Sequence, residues 1–530
     1  MPGKNPPALP QLQALPHQDR VADKLQDKNT PGQLAFHGIG TGKTFTAINA
    51  AQKAGLPILA ITPAALRNNF KKEIAAAHFH NDVNVMSYQE AMKKVKDPAF
   101  RSQAAKSMVV FDEAARMGQT TSAQSRLGQE MPAAKKLLLT ATPIRNRPQE
   151  IAPLINSITP GSLPNSPSDF NKKFTNVRTV PVGFWGMLRG AKPGVKREAK
   201  NLDEFAKAVH GKVDYHENVD RSKFPSFSES ILEVPMAEKQ QAAYDFLIGK
   251  HPAMAYKIRH GIPPSTSEER DFTAFFNGPR QASNHPGEFN ASATDVDAPK
   301  FTAAADEIQK RMASDKNFRG VVYSSFLGAG VEPMKRELDR RGIPSLAFTG
   351  KLNDKERKLI IDAYNTGKAP VLLLSGAGAE GLDLKGTKLM QILEPHWNEE
   401  QMEQVRGRAI RYGSHTHLPE NERHVEVQRF HAVPSRGFIS RMMTAKPHDR
   451  GIDEYIHGMA QRKRELNQPF LDILKNEGQK EAAVLEIAHL SQPEVYASPV
   501  KPPMLRGRVP GQPPMSIAQA PADVGRGGAF

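Results

Sequence analysis

The octapeptide His37-Gly38-Ile39-Gly40-Thr41-Gly42-Lys43-Thr44 sets glycines on alternate positions ahead of a lysine and a hydroxyl. Such a turn can direct backbone N–H groups onto phosphate oxygens, an ammonium at Lys43 reaches the β- and γ-phosphates, and the Thr44 hydroxyl suits Mg²⁺. Gly38, Gly40, Thr41, Gly42, Lys43 and Thr44 are therefore read as an ATP cradle. Two adjacent acids, Asp112 and Glu113, follow the apolar run Met108 to Phe111. At a strand end they can divide labour, Asp112 holding the hydrated Mg²⁺ while Glu113 orients and deprotonates the attacking water. Standing alone, the pair would be an exposed acidic loop; behind a phosphate loop it is read as catalytic. Phosphoryl transfer also needs positive charge at the γ-phosphate. The stretch Gln404 to Arg411 offers Arg408 and Arg411, three positions apart and so on one face of a helix, with Gln404 ahead of them. These arginines are read as fingers reaching across a cleft, where a lone Arg-x-x-Arg would be an ordinary basic helix.

The elements that must hold these groups alternate between short apolar runs and amphipathic stretches, which predicts an α/β fold. Gln33 to His37 reads as a strand entering the glycine turn, and Thr44 to Lys53 as a helix whose N-terminus faces the phosphates. Further strands are expected at Leu56 to Ile61, Met108 to Phe111 and Lys136 to Leu139, with ligands at their carboxyl ends. The organisation expected is a flexible 1–14, a first α/β block over 15–160, and a connector over 161–300 with helices at Leu202 to Val209 and Met236 to Leu247. A second α/β block follows over 301–445, with strands at Gly320 to Ser324, Ser345 to Phe348, Val371 to Leu374 and Leu389 to Leu393. A helical extension over 446–497 and a Pro/Gly-rich basic tail over 498–530, expected to be disordered, complete the chain.

A chain of 530 residues is too long for one core, so two or three domains are expected. The absence of cysteine excludes a disulfide framework and thiolate metal sites, and the 17 histidines show no ligand-like spacing. The first residues contain no apolar signal core, and no apolar run reaches about 18 residues, so a cytoplasmic protein without a membrane partner is expected. A formal charge of +16 favours a polyanionic partner, or else serves solubility alone.

In order and spacing, the motifs resemble those of superfamily-2 helicase-like ATPases and, within them, the Swi/Snf-type translocases. The segments that carry the likeness are ITPAALRNNFKKEI (Ile61 to Ile74), VMSYQEAM (Val85 to Met92), LLLTATPIRNRPQEIAPLINSITP (Leu137 to Pro160), RQASNHP (Arg280 to Pro286), APKF (Ala298 to Phe301), SGAGAEGLDL and QVRGRAIRYGSH. The resemblance implies two tandem RecA-like lobes of P-loop NTPase type, with ATP and Mg²⁺ between them and double-stranded DNA across both. It further implies that Gln18 reads the adenine edge, that Gly381 and Asp383 sense nucleotide and nucleic acid together, and that Thr140 and Thr142 couple hydrolysis to strand contacts. Ser87, Thr349 and Ser375 match backbone-contact positions, where hydroxyls track phosphates without reading bases.

The chain departs from the pattern at two places. His37 occupies a position often held by Gly or Ala, with the glycine turn intact behind it. Ala115 stands where a histidine or aspartate usually links the γ-phosphate to the coupling motif, so that link is not carried over. The final motif, GRAIRYGSHTHLPE, is more similar to NTPases of large DNA viruses and phages than to eukaryotic remodelers, which would place the protein in a host cytoplasm or virion. In the connector, Arg178 to Lys200 interleaves Arg189, Lys196 and Arg197 with Phe184 and Trp185. Such a loop can grip a phosphate backbone and stack on bases, or be a solvated loop whose Trp185 packs back. The expected activity is ATP-driven translocation on duplex DNA that displaces bound proteins. The alternatives are a strand-separating helicase on DNA or RNA, an NTPase acting on RNA polymerase, and an ATP-dependent binding switch without turnover. No wedge hairpin is evident in the sequence.

Overall fold

The computed structural model describes residues 13–77, 79, 81–217, 223–268, 275–376, 382–397, 399–411, 413–435 and 449–490, without the side chains of 354, 399–401, 404 and 481–490. The described residues up to Glu486 form one compact unit, to which both large sheets belong. The first sheet is built from β1 (Gly32–His37), β2 (Ile58–Thr62), β3 (Val83–Ser87), β4 (Met108–Asp112) and β5 (Lys135–Thr140). A small hairpin follows, β6 (Thr175–Val180) and β7 (Gly194–Ala199), then β8 (Val213–His216) and β9 (Ser226–Pro235). The second sheet adds β10 (Gly320–Ser324), β11 (Ser345–Phe348), β12 (Val371–Ser375), β13 (Leu389–Ile392) and β14 (His424–Val433).

The two six-stranded sheets run β3-β2-β4-β5-β1-β8 and β11-β12-β10-β13-β14-β9, parallel throughout. Parallel strands joined by helical crossovers are covered on both faces, so successive side chains must enter two different cores. Leu34, Leu59, Val109 and Leu138 fill one core of the first sheet, while Ala35, Ala60, Val110 and Leu137 fill the other. Val322 and Leu373 oppose Val321 and Leu372 in the same way across the second sheet.

The segment between the two sheets contributes a strand to each. β8 pairs with β1, setting Leu34 opposite Val213 and His37 opposite His216. β9 pairs with β14 over its whole length, from Ser226 opposite His424 to Pro235 opposite Val433. A long helix, Ile452–Leu490, then bridges the molecule. Ile452 and Tyr455 pack with Phe276 and Ala432 beside the second sheet, whereas Phe470 and Leu474 enter the core of the first. The buried Lys300–Asp453 ion pair, 2.6 Å long, anchors the start of this helix, and Asp453 also accepts the Ala432 N–H at 2.8 Å. None of the described helices is long and apolar enough to cross a membrane.

Candidate functional site

The glycine turn leaves the buried strand β1 and enters the helix Lys43–Ala54. Gly40 and Gly42 adopt left-handed φ values of 80° and 74°, which side chains resist, and a Cβ on Gly42 would meet Gln18 Nε2 at 2.6 Å. Gln18, buried on the helix Pro16–Gln26, lies against the turn: its amide donates to the carbonyls of Thr41 at 3.2 Å and Gly42 at 3.3 Å. Lys43 Nζ donates to the carbonyl of Gly38 at 3.0 Å, and the Thr41 hydroxyl donates to the same carbonyl at 2.9 Å. Burial holds the Lys43 ammonium below the ordinary lysine value; Glu113 and Asp112 oppose that shift, whereas Arg408 and Arg411 add to it.

His37 has a structural reason to depart from the common pattern. Its side chain is fully buried, and Nε2 lies 2.7 Å from Asp214 Oδ2 on β8. The Arg20 guanidinium grips the same carboxylate with two hydrogen bonds of 2.6 and 3.1 Å, and the Gly38 N–H donates to the His216 carbonyl at 2.8 Å. Burial would push the Asp214 carboxyl up, yet the hydrogen bonds from His37 and Arg20 hold it below the usual carboxylate value. Asp214 thus ties the start of the phosphate loop to β8 and to the helix carrying Gln18. Nothing in the sequence pointed to it, because a lone acid some 180 residues away carries no spacing signal. Replacing Asp214 by alanine leaves two buried donors without their acceptor, and the expected loss is about 3–5 kcal/mol of stability. Denaturant unfolding would measure it; an unchanged midpoint would show that the carboxylate is not a tie.

Asp112 ends β4 beside Lys43, where Thr62 Oγ1 and the Glu113 N–H both donate to it at 3.0 Å. Burial first, and then the charge of Glu113, raise its carboxyl to about 6. A desolvated carboxylate repelled by its neighbour favours a nearby cation. Glu113 holds φ at 51°, a left-handed conformation rare for a residue with a side chain. Arg145, from the stretch after β5, approaches Glu113 to 3.6 Å. Sequence reasoning missed this contact, which connects the acidic pair to the Thr140–Thr142 segment from a position other than Ala115. Thr140 is buried and accepts the Thr142 N–H at 3.1 Å; the buried Thr142 hydroxyl has no hydrogen-bond partner among the described residues.

From the second sheet, the helix Glu399–Ala409 meets the phosphate loop: a Cβ on Gly407 would lie 3.3 Å from Ile39 Cδ1. The helix ends at Ala409, so Arg411 lies beyond it and the shared-face argument does not apply. A turn closed by Ser414, whose N–H donates to the Arg411 carbonyl at 3.0 Å, carries the residue instead. Arg411 lies 3.8 Å from Asp383. Gly381 and the Gln404 side chain lie outside the described residues and atoms.

The residues expected to contact a nucleic-acid backbone lie on different elements. Ser87 caps the helix Tyr88–Lys94, its hydroxyl accepting from Glu90 N–H at 3.2 Å. Thr349 borders a cleft with Lys335, Arg336 and Lys351, while Ser375 ends β12 as a buried hydroxyl without a partner among the described residues. Arg189, Lys196 and Arg197 belong to the β6–β7 hairpin region.

A phosphate loop on one parallel sheet, faced by arginines from a second, defines a two-lobed ATPase of helicase type. The SNF2-related domain model matches residues 60–288, and the helicase conserved C-terminal domain model matches residues 302–413. A protein of Acanthamoeba polyphaga mimivirus named as an ATP-dependent RNA helicase is 30% identical over 451 residues, spanning 83% of this chain and 92% of its own. A termination factor NPH-I homolog of African swine fever virus is 37% identical over 134 residues, 24% of this chain and 19% of its own. The Sulfolobus solfataricus SWI2/SNF2 ATPase core in complex with dsDNA covers 92% of this chain and 98% of its own at 17% identity, with a TM-score of 0.34. The chain belongs to the SNF2-related family of helicase-like ATPases.

Proposed function

We propose that the protein hydrolyses ATP to translocate along double-stranded DNA and displace what is bound there. The observation that carries this reading is the seating of the helix Glu399–Ala409, from the second sheet, against the phosphate loop of the first, where a Cβ on Gly407 would lie 3.3 Å from Ile39 Cδ1. A triphosphate held by residues of two lobes draws them together, and release of phosphate loosens them; repeated closure and opening is how a two-lobed motor steps along a strand. Thr44 and Asp112 would hold magnesium, which when bound neutralises charge on the phosphate oxygens. Lys43 and the loop amides position the triphosphate, Glu113 takes the proton of the attacking water, and Arg408 and Arg411 meet the charge that develops on the γ-phosphate. Gln18, which supports the loop, orients the nucleotide base.

The viral relatives support a second reading, a transcription-associated NTPase whose motor acts on an RNA polymerase. One of them is named a termination factor homolog and another an RNA helicase. The test is steady-state ATP turnover without nucleic acid and with duplex DNA, single-stranded DNA or RNA. Strong stimulation by duplex DNA is the expected result. Stimulation by single strands or RNA alone would overturn the duplex reading in favour of a helicase, and no turnover under any condition would point to a binding switch.

A further inference from the structure

The stretch Arg178 to Lys200, ambiguous as sequence, folds as an antiparallel hairpin. β6 and β7 pair from Thr175 opposite Ala199 to Val180 opposite Gly194, and the short helix Phe184–Leu188 forms the tip. That tip exposes four large apolar side chains: Phe184 63%, Trp185 65%, Met187 59% and Leu188 63%. Trp185 does not pack back onto the lobe; its ring contact is edge-on with Phe184, 5.6 Å between centroids. Burying none of these side chains forgoes a hydrophobic gain that a free loop would collapse to recover, so a concentrated exposed patch marks a contact surface.

The hairpin is braced from below. Val182, Ala191 and Ile262 form a small core with Tyr256 packed against it, and a Cβ at Gly186 would collide with the Tyr256 ring. The Val195 N–H donates to the Pro264 carbonyl at 3.1 Å. Charge identifies what such a rigid apolar tip would touch. Residues 175–200 hold six lysines and arginines against one glutamate. Beside the strands opens a cleft of about 160 Å³ bordered by Lys196, Arg197, Arg147, Arg462, Lys463 and the Trp397 ring. No aspartate or glutamate lines it among the described residues. Exposed aromatic side chains beside a groove bordered by cations suit the stacking of bases and the carriage of their phosphates.

We infer that the β6–β7 hairpin is a nucleic-acid pin, Phe184 and Trp185 inserting against bases where a duplex opens and the adjoining cleft carrying the backbone of one parted strand. The inference rests on the nucleic-acid-driven motor proposed above, and adds to it a site that disturbs base pairing.

The full-length chain is tested on forked DNA carrying 2-aminopurine at the junction, reading its fluorescence with ATP present. The wild type is expected to raise the emission. The Phe184→Ala, Trp185→Ala double variant, whose changed side chains are exposed, should weaken junction binding roughly tenfold and lose the rise. It should keep nucleic-acid-stimulated ATP turnover within about twofold on unforked duplex. Lys196→Ala with Arg197→Ala should flatten the dependence of log K on log salt by about 1.4–1.8. Duplex-stimulated turnover without any emission change in the wild type would overturn the pin and leave the motor standing. Absence of stimulation by any nucleic acid would overturn the motor itself. A tip variant that disturbs the bases as the wild type does would also sink the pin, whether or not it has lost binding to a purified RNA polymerase.

Discussion

Substituting Glu113 by glutamine is expected to lower kcat for ATP hydrolysis by roughly 10³-fold while ATP affinity stays within about twofold. Glutamine matches glutamate in size, so the left-handed backbone at φ 51° and the direction of the side chain are retained. What would disappear, on the proposed role, is the capacity to accept the proton of the attacking water. The cradle is untouched, because Lys43, Thr44 and the loop glycines lie on a different element and Asp112 keeps its bonds from Thr62 and the backbone. Single-turnover hydrolysis together with binding of a fluorescent ATP analogue separates the two effects. Turnover at the wild-type rate would assign water activation to another group. A parallel loss of binding would show that the carboxylate serves the cradle. Arg145 offers an internal comparison: it lies 3.6 Å from Glu113, so Arg145→Ala should lower turnover less than the glutamine variant while weakening its dependence on nucleic acid.

The elements that hold this chemistry were legible wherever burial on both faces forced an apolar run. Met108 to Phe111, Gly320 to Ser324 and Ser345 to Phe348 were expected as strands, and β4, β10 and β11 begin or end where they were read. Strands without that requirement left no trace. β9 is exposed from Ser226 to Ile231 and half-buried only at Leu232 and Val234, β3 starts at an exposed Val83, and β8, although buried, carries Asp214 and His216 where an apolar run would have been legible. Their pairing is set by partners distant in sequence, which periodicity cannot report. The β6–β7 hairpin was invisible for the same reason: β6 is polar and exposed over most of its residues, and the prolines and glycines between its strands read as a loop. At the ATP site, the phosphate loop and acidic pair were readable because nucleotide chemistry constrains neighbouring residues. The Asp214 tie and the Arg145 contact were not, since each joins residues that only folding brings together.

Arg408 and Arg411 should each prove necessary for turnover, their alanine variants falling by about 10³–10⁵ in kcat with little change in KM for ATP. The expectation follows from where their charge is useful. On the proposed function, a ground-state triphosphate would already be met by Lys43 and the loop amides, whereas the loose transition state would spread further charge over the γ-oxygens for the arginines to meet. Arg406, on the same helix, is the natural control. It bonds Glu229 at 2.8 Å, pairs with Glu403 and lies 4.7 Å over the Phe227 ring, so its charge is occupied at the β9 edge. Arg406→Ala should keep kcat within about twofold and lower the melting temperature, the reverse of the Arg408 and Arg411 pattern. Lysine should not rescue either finger, because a point charge cannot reproduce the planar fork of donors. Arg411 also distinguishes its own two roles: it lies 3.8 Å from Asp383. If only that contact matters, Asp383→Asn will lose as much turnover as Arg411→Ala; if Arg411 meets the γ-phosphate, Asp383→Asn will retain most of it.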